Sequence, residues 1–277
     1  MENILITGAT GNVGQAILHH FTPKTRQKLY LASRKAGENQ LYFDFENPED
    51  SKATLAKTDT LFLLRPPQIS DVKQYFQPLI RHAKEAGVRH IVFLSVQGAE
   101  DVSFIPHAKI EKLIQASGIA YTFIRPSYFI QNLSTTLLQD IQEHDRIFLP
   151  AGKAKFLWVD VMDIGKAIAA ILQDVAAHRN QAYTITGNEL YTFEEVAQML
   201  TKVLGRKIDY ISPNLLRFYF SKKKVGIKPA FIFVMIMLHF LPRFQKAPQI
   251  SSNLTELTGD APLTLQDFMQ RNKAVWQ

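Results

Sequence analysis

The chain has 277 residues, enough for one large or two small domains, and its 46% apolar and 21% charged residues suit a soluble globular protein. It has no cysteine, which excludes disulfides and thiolate chemistry. The formal charge is +7 with Lys and Arg scattered along the chain, which a solvated surface and a phosphate-bearing ligand explain more simply than nucleic acid. No basic-apolar-small leader opens the sequence, so a cytoplasmic location is expected.

Asn3 to Thr7 is a short apolar strand. Gly8-Ala9-Thr10-Gly11-Asn12-Val13-Gly14 follows it at once, and a helical pattern begins by Gln15. Strand, glycine turn and helix in that order make a phosphate cradle. The first glycines let the backbone approach a pyrophosphate, the last lets helix pack on strand, and the helix N-terminus offers free N–H groups. Gly8, Thr10, Gly11, Asn12, Val13 and Gly14 are therefore candidate dinucleotide contacts.

Lys28 to Ala32 reads as a second strand that ends in Ser33-Arg34-Lys35. An acidic residue there would accept hydrogen bonds from the ribose hydroxyls of NAD. A hydroxyl and two cations suit a 2′-phosphate instead, so Ser33 and Arg34 point to NADP(H). Leu41 to Phe43 is a third strand, closing on Asp44 and Phe45. Asp44 either takes the adenine amino group or caps the turn before the helix opened by Pro48, and Phe45 would line the ring.

Thr60 to Leu64 is an uninterrupted apolar strand, as expected when both faces of a parallel sheet are covered. It stops at Arg65-Pro66-Pro67, and Leu64, Arg65 and Pro66 are placed beside the cofactor at the carboxyl edge. Val72 to Ala86 is a long helix ended by Gly87. His90 to Ser95 is the fifth strand, with Ser95 at the end where catalytic side chains of open α/β sheets gather. Pro106 starts a helix that carries His107 and ends at Ser117-Gly118; Ala120 to Ile124 is the sixth strand, followed by Arg125. This alternation predicts a doubly wound parallel sheet of Rossmann type over residues 1–150.

Residues 151–277 read as a smaller, mostly helical part with segments returning to the first domain. Asn132 to Gln142 and Val161 to Gln173 are helical, Lys155 to Asp160 is extended, Ala182 to Ile185 is a late strand, and Thr192-Phe193-Glu194-Glu195 has the spacing of a capping box. Lys207 to Ile211 is a strand. Ala230 to Leu241 is apolar apart from His239; twelve residues do not span a bilayer, which takes about 20. A buried helix lining an apolar pocket is expected, a membrane-surface helix being the alternative.

These residues resemble the NmrA-like group of atypical short-chain dehydrogenases, which includes NADPH-dependent quinone reductases, triphenylmethane dye reductases and NADP-sensing regulators. The resemblance rests on Thr7 to Gly14, Ser33-Arg34, His107 with Glu111, Ser117 to Pro126, Asn132 and Thr192 to Ala197. It implies a Rossmann domain with NADP(H) and a small C-terminal domain that closes over a hydrophobic substrate. Tyr128, Phe129, Trp158 and Tyr219 are candidates for the apolar wall. The Tyr-x-x-x-Lys pair of typical short-chain dehydrogenases is missing after the fifth strand, where Ser103 to His107 stands. In the isoflavone-reductase branch a lysine occupies the place of His107, so His107 is the candidate catalytic residue: holding the ribose, donating a proton or orienting a water, with a structural histidine at a helix start as the alternative. The activity implied is hydride transfer from NADPH to a quinone or other flat conjugated acceptor; the other possibility is a redox sensor acting through a protein partner. No metal site, nucleic acid or transmembrane segment is expected, and monomer and homodimer stay open.

Overall fold

A computed structural model describes every residue except Ala36. The chain opens with β1 (Glu2–Ile6), α1 (Asn12–His20), β2 (Gln27–Ser33), β3 (Gln40–Tyr42), a 3-10 turn at Pro48–Ser51, α2 (Lys52–Leu55), β4 (Thr60–Leu64), α3 (Val72–Glu85), β5 (His90–Leu94), α4 (Pro106–Ser117) and β6 (Ala120–Pro126). Then come β7 (Tyr128–Phe129), α5 (Leu138–His144), β8 (Arg146–Phe148), β9 (Lys155–Val159), α6 (Val161–Gln173) and β10 (Gln181–Ile185). The rest is β11 (Leu190–Thr192), α7 (Phe193–Leu204), β12 (Asp209–Ile211), α8 (Leu215–Lys224), α9 (Pro229–Phe240), α10 (Asn253–Thr258) and α11 (Leu265–Arg271).

Two compact units result, the first break falling after residue 126, with later segments returning to the first unit. The first unit is Met1–Pro126, Val161–Ile185 and Ser252–Ala261; the second is Ser127–Asp160, Thr186–Ser251 and Pro262–Gln277.

The first unit is built on a seven-stranded sheet of order β10-β6-β5-β4-β1-β2-β3, with every pair parallel. Strand order reverses between β1 and β4, so the crevice for a ligand lies at their carboxyl ends. One face is closed by Leu61, Leu63, Phe76, Leu79, Ile91, Phe93 and Ile114, all nearly or fully buried. On the other, α6 presses against α1: a Cβ on Gly165 would sit 2.4 Å from Ala16 Cβ, so this crossing requires glycine.

The second unit holds a three-stranded sheet β11-β9-β7 and a parallel pair β12-β8. Its core is aromatic: Tyr128, Phe156, Trp158 and Phe193 meet edge to face with centroids 4.8 to 5.7 Å apart. The capping box is formed, with Thr192 Oγ1 accepting from Glu195 N–H and Glu195 Oε2 accepting from Thr192 N–H.

Four elements differ from expectation. α1 begins at Asn12, three residues early, because Gly11 is already its N-cap. The helix expected from Asn132 to Gln142 is broken: a 3-10 turn at Ile130–Ser134 precedes α5. There Ser134 and Thr135 both turn their hydroxyls back onto Gln131 O, and Thr135 leaves helical geometry at φ −131° and ψ −85°. The strand expected from Lys207 shortens to β12. The helix opened by Pro48 is a 3-10 turn running into the one-turn α2.

Candidate functional site

The candidate residues of the first unit lie at the carboxyl ends of its parallel strands. After β1, Gly8 adopts a left-handed φ of +66°, and a Cβ there would press on the Leu64 side chain at 3.3 Å. Gly8 O accepts from Gly11 N–H at 3.0 Å, closing the turn. Gly14 has the strictest need: an added Cβ would lie 2.3 Å from Gly8 O and 2.5 Å from Ala9 Cα. Gly11, by contrast, has extended dihedrals (φ −83°, ψ 171°), and its Cβ would meet only Gly8 O at 3.4 Å. No side chain caps α1 and its first turn carries no acid, so its N-terminal N–H groups and positive dipole end face whatever fills the turn.

Two residues brace this loop that the sequence reading did not single out as site residues. The buried Thr7 hydroxyl donates to Phe62 O at 2.9 Å and accepts from Leu64 N–H at 2.8 Å, tying β1 to the end of β4. Gln15 Nε2 donates to Ala9 O at 2.7 Å and fixes the turn from the helix side. A hydroxyl straight after an apolar strand was the available signal for Thr7; Gln15 looks like any helix-surface residue.

At the end of β2, Ser33 Oγ accepts from Lys35 N–H at 3.0 Å, and this turn leaves Arg34 exposed, with no ion pair among the described residues. Asp44 caps its own turn, Oδ1 accepting from Glu46 N–H at 2.9 Å and Oδ2 from Asn47 Nδ2 at 3.2 Å. Phe45 packs its ring on Phe43 and Phe76, with centroids 5.1 and 5.8 Å away.

Arg65 folds back on its own loop. One guanidinium nitrogen donates to the carbonyls of Pro66, Pro67 and Ile69, while Nε points to His107 Nε2 at 3.4 Å. Arginine has no acceptor, so His107 Nε2 is the unprotonated nitrogen and Nδ1 carries the proton. Burial, then the Arg65 charge, pushes the imidazole down to about 3. His107 is thus neutral at ordinary pH. A neutral imidazole held by Arg65 weighs against the proton-donor role and favours a role in holding or positioning.

Arg125 is also committed. Its Nε and one terminal nitrogen donate to Glu111 at 3.0 and 2.6 Å, and the other terminal nitrogen reaches Glu100 Oε2 at 3.2 Å. It ties β6 to α4 through Glu111 and to the loop before α4 through Glu100. Ser95, at the end of β5, is 2% exposed, and its hydroxyl finds no hydrogen-bond partner among the described residues. A buried hydroxyl without a partner is costly and calls for an explanation; the 8%-exposed Ser127, in the second unit, is the other such hydroxyl among the described residues. The open helix end, the glycine cradle and the Ser95 hydroxyl fit a bound dinucleotide.

The apolar-wall candidates lie in the second unit and divide into two kinds. Tyr128 and Trp158 are core, 8% and 2% exposed. The Tyr128 hydroxyl meets His239 Nε2 at 3.0 Å, and Trp158 Nε1 donates to Tyr191 O at 3.4 Å. Both rings are enclosed by their own unit's aromatics, which differs from the substrate wall expected of them. Phe129 and Tyr219 are half-buried, and Tyr219 contacts the rings of Phe220 and Phe233. The chain does contain one Tyr-x-x-x-Lys spacing, Tyr219 to Lys223, but it lies on α8 of the second unit and not after β5. Among the described residues no cluster of His, Asp or Glu could hold a metal, and no helix is long and apolar enough to cross a membrane.

Comparison with known proteins agrees with this architecture. The chain is 27% identical over 285 aligned residues to an NAD(P)H azoreductase of Xenophilus azovorans, covering 99% of each. It is 26% identical over 289 residues to agroclavine dehydrogenase of Claviceps fusiformis, covering 99% of this chain and 98% of that one. In fold it is similar to the Citrobacter sp. triphenylmethane reductase complexed with NADP(H), with TM-score 0.82, 22% identity and coverage of 97% and 99%. The NADPH-dependent quinone oxidoreductase of Escherichia coli complexed with NADPH is similar to the same degree, TM-score 0.82 at 22% identity over 97% and 99%. The family model for the NmrA-like family matches residues 1–217, which include the whole glycine cradle and the strand ends around it, and the chain belongs to that family.

Proposed function

We propose that this chain is an NADP(H)-dependent oxidoreductase that passes hydride to a quinone or another flat conjugated acceptor. The observation that carries the cofactor assignment is the pairing of an uncapped α1 behind the Gly8–Gly14 turn with an exposed, unpaired Arg34 at the end of β2. NADP(H), when bound, supplies the hydride. Gly8, Thr10, Gly11, Asn12, Val13 and Gly14 would hold the pyrophosphate, and Ser33 and Arg34 the 2′-phosphate. Asp44 and Phe45 would border the adenine end, and Leu64, Arg65, Pro66 and Ser95 the nicotinamide end. His107 serves as a positioning residue: it accepts from Arg65 and so holds the loop after β4. Arg125 supports the same region through Glu111 and Glu100. With His107 neutral, the proton that completes reduction of a quinone comes from water. Phe129 and Tyr219 remain the proposed acceptor contacts of the second unit, and the names of the azoreductase, dye reductase and quinone oxidoreductase relatives support a flat conjugated acceptor.

Calorimetric titration tests the cofactor assignment. Arg34→Ala should weaken NADPH by about 2 kcal/mol, roughly 30-fold, and leave NADH nearly unchanged. Equal losses for both nucleotides would refute it. Steady-state NADPH oxidation against a panel of quinones and azo dyes tests the acceptor. A chain that binds NADPH tightly and oxidises it with no member of the panel would refute the acceptor class and leave the cofactor site standing.

A further inference from the structure

Apart from Tyr219, the α8–α9 face of the second unit has no part in the proposed chemistry, and its composition is unlike the rest of the chain. Residues 210–255 contain no Asp or Glu. They hold seven of the 32 Lys and Arg residues, so the +7 charge of the chain resides here and the remainder is balanced. The cations themselves are scattered along the chain; what sets this segment apart is the absence of acids to offset them. Lys222 is buried against Asp140, while Arg217, Lys223, Lys224, Lys228, Arg243 and Lys246 are exposed.

Within this cationic frame sits an exposed apolar surface. α9 is apolar on all sides and buries only Ile232, Met235 and His239, so the buried lining helix expected from sequence is only one stripe of it. Phe233 is 58% exposed, Leu238 46% and Met237 39%, and on α8 Phe220 is 61% exposed. The patch is continuous: Phe220 meets Tyr219 and Tyr219 meets Phe233, with centroids 5.5 and 5.8 Å apart. Large apolar side chains clustered at the surface mark an interaction site.

We propose that this α8–α9 face docks on the surface of an anionic phospholipid bilayer, with Phe220, Phe233, Met237 and Leu238 entering the acyl boundary and the exposed cations meeting lipid phosphates. Three observations select this occupant. The segment that carries the patch, residues 210–255, holds one sign of charge, which is complementary to an anionic surface. A second copy of the chain in a twofold contact would bring the same cations against themselves. α9 has 12 residues, about 18 Å of helix, which suits lying in the interface and is too short to span. Docking does not depend on which acceptor the first unit's site reduces.

The test is flotation of the full chain with vesicles of phosphatidylcholine alone or with about 30 mol% phosphatidylglycerol, read at low and high salt. Expected is binding to the anionic vesicles, weaker at high salt, reduced about tenfold or more by K223E/K224E and by Phe233→Ser. Both variants should keep the wild-type Tm and NADPH affinity; Met237→Ser replaces Phe233→Ser if the latter melts early. Absent binding, equal binding to both vesicle types, or variants that bind like wild type would overturn the proposal. A wild-type dimer in solution that Phe233→Ser converts to monomer would assign the face to a second copy and also overturn it.

Discussion

The two units differ in where most of their open bonding capacity lies. The first leaves bonding capacity open at the carboxyl edge of its sheet: an uncapped helix end, an exposed Arg34, and a buried Ser95 hydroxyl with no partner. The second closes most of its buried polar groups internally, the Ser127 hydroxyl being the exception among the described residues. Tyr128 bonds His239, His239 bonds Met235 O at 2.6 Å, Asp140 is shared by Lys222 and Arg146, and Trp276 Nε1 donates to Leu133 O at 2.8 Å. Its unmet demand is apolar and lies outside, on α8 and α9. Open polar capacity inside a fold anticipates a polar ligand, whereas open apolar capacity on its surface anticipates a surface to cover it.

The largest effect that would sharpen this contrast comes from two glycines three residues apart. Gly14→Val places atoms where Gly8 O and Ala9 Cα already sit, at 2.3 and 2.5 Å from Cβ, and backbone cannot step aside cheaply. A loss of about 3 kcal/mol or more is expected in denaturant unfolding. Gly11→Val meets only Gly8 O at 3.4 Å and keeps allowed dihedrals, so it should fold with near-wild-type stability and lose nucleotide binding. Tight NADPH binding by folded Gly11→Val would show that the turn is not the phosphate site.

Next in size is Asp140→Ala in the second unit. Lys222 and Arg146 would lose their common carboxylate, and Lys222 has only 7% of its side chain exposed. Leaving that ammonium buried without its partner should cost about 3 kcal/mol. NADPH affinity of the folded fraction should not change, since the pair is structural. A parallel loss of affinity would mean that the second unit's polar network is part of the cofactor site.

Much of the first unit was legible because its signals are local. A strand–glycine–helix order, a cation pair at a strand end and alternating apolar runs each report on neighbours in sequence. What depended on distant partners was not. Sequence places Arg65 at the carboxyl edge and Arg125 after the sixth strand without naming their partners; one is held by its own loop and His107, the other by Glu100 and Glu111. Tyr128 and Trp158 read as pocket wall because an aromatic residue looks the same whether a ligand or Phe156 and Phe193 face it. α9 has nearly no amphipathic bias, so its sequence does not say which side is covered; the tertiary fold decides that Ile232, Met235 and His239 turn inward. The chain's repeated passage between units, at residues 126, 160, 185, 251 and 261, rests on long-range contacts with no local signature.

A smaller effect per residue, found in both units, is acid sensitivity above the carboxylate range. Burial lowers His107 to about 3 and His90 and His239 to about 4, against an ordinary 6.5. The unfolded chain therefore binds more protons than the native one below pH 6.5, and stability falls as pH is lowered from there toward 4. Each histidine should contribute about 1–2 kcal/mol of this loss at pH 5. Thermal melts from pH 7 to 5 should show a steady decline that shrinks in His107→Gln. A Tm that holds constant across this interval would contradict the neutral state on which the His107–Arg65 geometry rests.

The finest test is Ser95→Ala, where a satisfied and an unsatisfied hydroxyl predict opposite signs. In a region whose polar groups are satisfied, removing a hydroxyl costs about 1 kcal/mol, because its partner is stranded. Ser95 Oγ has no partner to strand: it is buried and unbonded at the end of β5, while its backbone N–H is already held by Ile124 O at 2.7 Å. Replacing it with a methyl removes a desolvated polar atom and should leave the nucleotide-free protein unchanged in stability or slightly more stable. The cost should appear only with the dinucleotide bound, as a loss of one neutral hydrogen bond of about 1 kcal/mol, roughly fivefold in Kd. The stabilisation that NADPH confers on Tm would shrink accordingly. If Ser95→Ala lowers the Tm of the nucleotide-free protein while Kd stays at the wild-type value, the hydroxyl is a structural group of the first unit, and its edge is as closed as the second unit's core.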